Sequence, residues 1–128
     1  MLKTIKKRKI FQQIYKHGRK CFTKDLLAIY IDSKNQNYDA LQKGVSQGEY
    51  AIIVSKKISN KAVSRNKIKR KTKEAIRINS GKFPEKSYIL FFPKKSIEVL
   101  DFAELENQIL YIYKTINKKM LNNQTAPN

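Results

Sequence analysis

The sequence predicts an α+β sandwich in which helices pack on a small sheet, and three features carry that reading. Two apolar runs, Tyr50-Ala51-Ile52-Ile53-Val54 and Tyr88-Ile89-Leu90-Phe91-Phe92, have the length and the β-branched or aromatic content of buried strands. Three other segments place their apolar residues at helical spacing: one before the first run, one between the two runs and one after the second. Finally, 128 residues with 41% apolar content, including seven Tyr and six Phe, suffice for one core and one domain, which excludes a two-domain enzyme.

Taken in order, residues 5–17 predict a first helix, because Ile10, Phe11, Ile14 and Tyr15 form one stripe and Gly18 follows where a terminating glycine would stand. Residues 20–32 read as β structure. The polar stretch 32–48, with Asn35, Asn37, Asp39, Gly44 and Gly48, predicts a loop, and 49–55 the first buried strand. A second helix is expected between Asn60 and Asn79, capped by Ser59 or Asn60 and ended by Gly81. Its apolar residues, Ala62, Val63, Ile68, Ala75, Ile76 and Ile78, are sparse, so its polar face is wide. Pro93 closes the next strand. The third helix has Asp101 at its N-cap and Glu104 in the capping-box position, then Phe102, Leu105, Ile109, Ile112 and Ile116 at helical spacing. The domain is expected over residues 1–121, with 122–128 a disordered tail.

The formal charge of +18 is concentrated. Residues 1–20 hold eight basic and no acidic side chains, and residues 56–77 hold ten basic and one acidic, so two segments supply 17 of the 18 charges. A localised basic face is the footprint of a polyphosphate partner, since each neutralised phosphate releases condensed counterions. No apolar run reaches the 18 residues of a membrane span, and no signal-type apolar region follows the basic start, so the chain reads as soluble and intracellular, with no membrane partner. One Cys and one His, Cys21 and His17, build neither a disulfide framework nor a structural zinc site.

The stretch 54–77, VSKKISNKAVSRNKIKRKTKEAIR, carries the function. On a helix, Arg65, Lys69 and Lys73 are successive i, i+4 neighbours, with Asn66 and Arg70 in the adjoining row. Like charges so placed repel, and an anionic partner relieves the repulsion. Asn66 adds an amide that both donates and accepts, suited to a ribose hydroxyl or a base edge.

These residues resemble those of the protein subunit of bacterial ribonuclease P. Val54-Ser55-Lys56-Lys57 followed by Ala62-Val63-Ser64-Arg65-Asn66-Lys67-Ile68-Lys69-Arg70 is similar to the family's strand-end motif and its basic RNR-type helix. Phe11-Gln12-Gln13-Ile14-Tyr15-Lys16-His17-Gly18 is similar to the amino-terminal signature. Two departures are visible: Lys67 replaces the second Arg of the RNR triplet, and Lys73 stands where the family often has Arg, so both lose the planar fork that clamps phosphate.

The resemblance implies a fold like domain 2 of ribosomal protein S5, a four-stranded sheet in the order α-β-β-β-α-β-α with a left-handed βαβ crossover. It implies an RNA-binding helix carrying Lys56, Lys57, Arg65, Asn66, Lys67, Lys69, Arg70 and Lys73, which meets the catalytic RNA. It also implies a cleft between the first helix and the sheet that holds the single-stranded 5′ leader of precursor tRNA, lined by Phe11, Tyr15, Ala28 and Tyr30, with Ile29 as the alternative if the strand register differs by one. Aromatic faces in a positive groove are how single-stranded RNA is held. The activity implied is endonucleolytic removal of the leader by a cytoplasmic ribonucleoprotein. Its chemistry is expected from the RNA with Mg²⁺, with no cofactor bound by the protein alone and no DNA partner.

The residues agree with that division of labour. Hydrolysis by a protein requires paired metal-binding carboxylates or an acid–base pair. Residues 1–24 contain no acid, residues 50–84 contain Glu74 alone, and Glu98, Asp101, Glu104 and Glu106 sit where they favour a helix N-terminus, so no catalytic side chain is expected. The alternative is a ribosomal protein or a general RNA-binding chaperone.

Overall fold

The computed structural model describes residues 2–31 and 48–125. The predicted loop, apart from Gly48, and residues 126–128 lie outside the described residues. The elements are β1 (Lys3–Thr4), α1 (Arg8–His17), β2 (Arg19–Phe22), β3 (Leu26–Tyr30), β4 (Glu49–Ile52), α2 (Ala62–Ile78), β5 (Tyr88–Pro93) and α3 (Phe102–Thr125), with short 3-10 turns at Ser80–Lys82 and Lys95–Glu98.

The strands form one sheet in the order β1-β4-β5-β3-β2. β2 and β3 are an antiparallel hairpin, β3 runs antiparallel to β5, and β5 is parallel to β4, so α2 is the crossover between two adjacent parallel strands. The sheet has one strand more than the four expected. β1 is only two residues long and pairs parallel to β4 (Lys3 with Glu49, Thr4 with Tyr50), and it exists only because β4 is there to pair with.

Pairing and two-residue alternation sort the strand residues onto two faces. Cys21, Leu26, Ala28, Tyr30, Tyr50, Ile89 and Phe91 share one face, and all are buried. α2 and α3 lie there: Cys21 bonds Thr115 of α3, and Tyr113 of α3 meets Phe83, which in turn meets Tyr50. α2 buries Ile68, Thr72, Ala75 and Ile76, and α3 buries Leu105, Ile109, Ile112, Tyr113 and Ile116. Each fully buried Ile or Leu contributes roughly 1.5–3 kcal/mol. This half of the molecule is the predicted sandwich.

Among the described residues α1 is the one helix on the other face, burying Ile10 and Ile14 and reaching β3 and β5. It covers only part of that face. Gly18 follows it, but not as a left-handed terminator: its φ is −72°, an ordinary extended value. Glycine is required by close approach, since a Cβ would lie 2.3 Å from the Ile14 carbonyl oxygen and 2.6 Å from Ile29 Cγ2.

Two boundaries differ from expectation. α2 begins after Lys61 rather than at Ser59 or Asn60, although Ser59 Oγ accepts the Lys61 N–H at 3.3 Å. It ends at Ile78, before Gly81, where Asn79 Nδ2 donates to the Ala75 carbonyl at 2.9 Å. α3 runs on to Thr125, since no glycine or proline interrupts the chain until Pro127.

Candidate RNA interface

The first surface is α2. With Ile68, Thr72, Ala75 and Ile76 directed inward, Asn66, Lys67, Lys69, Arg70 and Lys73 are all exposed, and Lys56 and Lys57 are exposed in the turn that leads into the helix. Arg65 differs from its neighbours: it is half-buried, and its guanidinium donates to the Ser59 carbonyl at 2.8 Å, so it braces the approach to the helix. Glu74, the helix's one acid, is held by Arg77 one turn on, and that pairing lowers its carboxyl pKa. The basic row from Asn66 to Lys73 is therefore not neutralised by Glu74. On the inner flank Lys71 Nζ donates to the Leu100 carbonyl and Ser64 Oγ to Glu98 at 3.3 Å, which fixes how the helix is rotated.

The second surface is the face that α1 leaves partly open. Phe22 pairs with Leu27, and Leu27 with Phe92, so these three side chains form a row across β2, β3 and β5. Tyr15 of α1, 56% exposed, stands over the row with its ring edge-on to Phe92 at 6.3 Å between centroids. Phe11, one turn earlier on the same side of α1, is partly buried against the core. Lys20, opposite Ile29, shares this face, and the exposed Lys24 and Lys94 flank the end where Phe22, Leu27 and Phe92 lie.

Ala28 and Tyr30 do not line this surface. Both are 0% exposed and belong to the opposite face, packed beneath the α2 and α3 layer. The residues of β3 that face α1 are Leu27 and Ile29, as the contact between Gly18 and Ile29 shows. Sequence reading also missed Phe22 and Phe92. The signal was available for Phe22, since it stands two residues from Lys20 and one from the inward Cys21, but only the pairing register joins it to Phe92.

The hairpin that carries Phe22 is pinned from the far side. Asp25 is buried, with Ser96 Oγ donating to one carboxylate oxygen at 2.5 Å and Gln108 Nε2 to the other at 2.7 Å. Gln108 Oε1 in turn accepts from Thr23 Oγ1 at 2.7 Å and from the Asp25 N–H at 3.0 Å. The hydrogen bonds from Ser96 and Gln108 outweigh desolvation and hold the Asp25 carboxyl below its ordinary pKa.

Two of the acids around the start of α3 are engaged in holding the fold, Glu98 by Ser64 and Glu106 by Asn79 at 3.2 Å. Among the described residues no three His, Cys, Asp or Glu side chains are placed to hold a metal ion. Among them also, no helix is long and apolar enough to cross a membrane.

Comparison with known proteins then decides the family. The sequence matches the family described as Ribonuclease P over residues 2–117. The chain belongs to the ribonuclease P protein family. Among its relatives, the ribonuclease P protein component of Clostridium kluyveri is 36% identical over 112 residues, spanning 86% of this chain and 90% of the relative. That of Finegoldia magna is 33% identical over 110 residues, spanning 85% and 87%. In fold, the chain is similar to the ribonuclease P protein from Thermotoga maritima, with a TM-score of 0.71 and 24% identity over 89% of this chain and 97% of that one. The Staphylococcus aureus ribonuclease P protein gives 0.67 and 24%, over 88% and 93%. A ribonuclease P protein is the protein subunit of an endoribonuclease ribonucleoprotein, and the α+β fold expected from the sequence is the fold of this family.

Proposed function

We propose that this ribonuclease P protein binds the catalytic RNA through α2 and holds the 5′ leader of precursor tRNA on the face beside α1, so that the RNA cuts the leader away. The single observation that carries the reading is the pair of unlike surfaces on one small sheet: an exposed cationic row on α2, and an open row of aromatic and apolar side chains under Tyr15. The first suits phosphates, which each Lys or Arg neutralises with release of counterions. The second suits unpaired bases, which stack on aromatic faces with about 1–3 kcal/mol each. A mature tRNA lacks the leader and so cannot make the second set of contacts.

On α2, Asn66, Arg70 and Lys73 present donors outward, Lys67 and Lys69 flank them, and Lys56 and Lys57 extend the charge along the preceding turn. Arg65 acts by holding that turn against the helix. In the trough Tyr15 and Phe92 supply ring faces, Phe11 and Leu27 the apolar wall, and Lys20 a cation for the leader backbone. In this reading the hydrolytic step and its divalent ions belong to the RNA, and this chain's part is to bind and position. The cell compartment that fits is the cytoplasm, where precursor tRNA is met.

The test is binding and cleavage with the reconstituted holoenzyme. Tyr15→Ala should weaken precursor tRNA about tenfold and leave mature tRNA unchanged. Equal losses for both would remove the leader assignment. Protein freed of RNA should leave precursor tRNA intact, and cleavage by such a preparation would end the proposal. A general RNA-binding chaperone would bind both tRNAs alike.

A further inference from the structure

We infer that Phe22 and Lys20 on β2 form an additional nucleotide position, one that takes a leader base beyond those held under Tyr15. The inference rests on the leader reading above and extends it.

In β2, Cys21 points into the core while Lys20 and Phe22 point out on the trough side. Phe22 is 65% exposed, the most open of the aromatic side chains in the described structure. Folding does not need a large apolar ring there. A solvent-facing position on an outer strand is ordinarily filled by a polar residue, and here the exposed ring continues the row of Leu27 and Phe92, so the apolar surface is contiguous rather than a single side chain. Its exposure leaves ring surface open to a base, and among the described residues it makes no ring contact with another aromatic, whereas Phe92 is in edge contact with Tyr15.

Its distance from the first position follows from the sheet. Phe22 lies opposite Leu27 and Leu27 opposite Phe92, so Phe22 stands two strands, about 10 Å, from Phe92. One base cannot cover both rings, and Leu27 between them gives the chain an apolar floor to cross. Lys20, on the same face, is placed to meet the phosphate beside a base on Phe22. The Asp25 network keeps the hairpin from swinging away, so the position is built before RNA arrives.

The experiment measures holoenzyme affinity for precursor tRNAs whose leaders are lengthened one nucleotide at a time. In the native protein affinity should rise with length to a plateau. Phe22→Ala should leave short leaders unchanged, reach its plateau at a shorter length and lose about tenfold on long leaders. Phe22→Leu, which keeps apolar bulk without a ring face, should behave like Phe22→Ala, and Phe22→Tyr like the native protein. Phe22 is too exposed for these changes to unfold the chain, and circular dichroism checks that point. If Phe22→Ala matches the native protein at every length while Tyr15→Ala weakens precursor, the inference falls and the leader reading stands. If Tyr15→Ala also has no effect, both fall. A Phe22→Ala loss equal for all leaders and for mature tRNA would likewise overturn the position.

Discussion

A methyl group on Gly18 would lie within 2.6 Å of both the Ile14 carbonyl oxygen and Ile29 Cγ2, one in α1 and one in the strand beneath it. The helix and the sheet are held together there by the absence of a side chain. Gly18→Ala should therefore cost roughly 1–3 kcal/mol, read as a lower urea midpoint, and should weaken precursor binding more than mature-tRNA binding as α1 shifts over the trough. Asp25 is the opposite kind of residue, a buried charge whose partners are all in place. Its folded-state pKa lies below the unfolded value, so its contribution is fully present above the unfolded value of about 4 and is lost as pH falls through the folded one. Asp25→Asn should lose about 1–3 kcal/mol at neutral pH, because an amide cannot accept from both Ser96 and Gln108, and should flatten the decline of stability below about pH 4. Urea titrations at neutral and acid pH check both statements.

At the scale of elements, α2 separates two tasks that the sequence merges. Its pattern showed a wide basic face, but not that Arg65 would turn to the Ser59 carbonyl while Arg70 and Lys73 stay outward. Arg70→Ala and Lys73→Ala should each reduce the slope of log affinity for the catalytic RNA against log salt by about 1 without lowering stability. Arg65→Ala should also cost stability, about 0.5–1.5 kcal/mol, for the lost brace. The helices were legible because their apolar residues recur at helical spacing. The faces of β3 were not: Leu26-Leu27-Ala28-Ile29-Tyr30 is apolar throughout, and alternation cannot be read where every position is apolar. Choosing Ala28 and Tyr30 for the open face was therefore a choice of parity, and the register with β2 and β5 reverses it. β1 was illegible for another reason, since a two-residue strand has no local pattern and exists through its partner.

For the whole molecule, the two segments that carry nearly all the net charge come to lie on different sides of the sheet, α1 with its flanks on one and α2 on the other. The fold thus spreads the repulsion that the chain concentrates, yet +18 on 128 residues still opposes compaction. The protein without RNA should melt at a higher temperature as salt is raised from about 10 to 200 mM, since screening over a Debye length of about 10 Å removes repulsion, while its affinity for RNA falls over the same range. A Tm independent of salt would show that the charges are too far apart to matter. The position of β2 has one more consequence. It is the last strand of the sheet, and its outer row of backbone donors and acceptors is a template on which a strand of another molecule could align. Lys20 stands exposed on that rim and Lys24 at its end, so a neighbour of the same kind arrives bearing the same sign and is turned back. Self-association along the rim is thereby disfavoured until a polyanion cancels the charge, which leaves the newly made chain dispersed while it waits for its RNA.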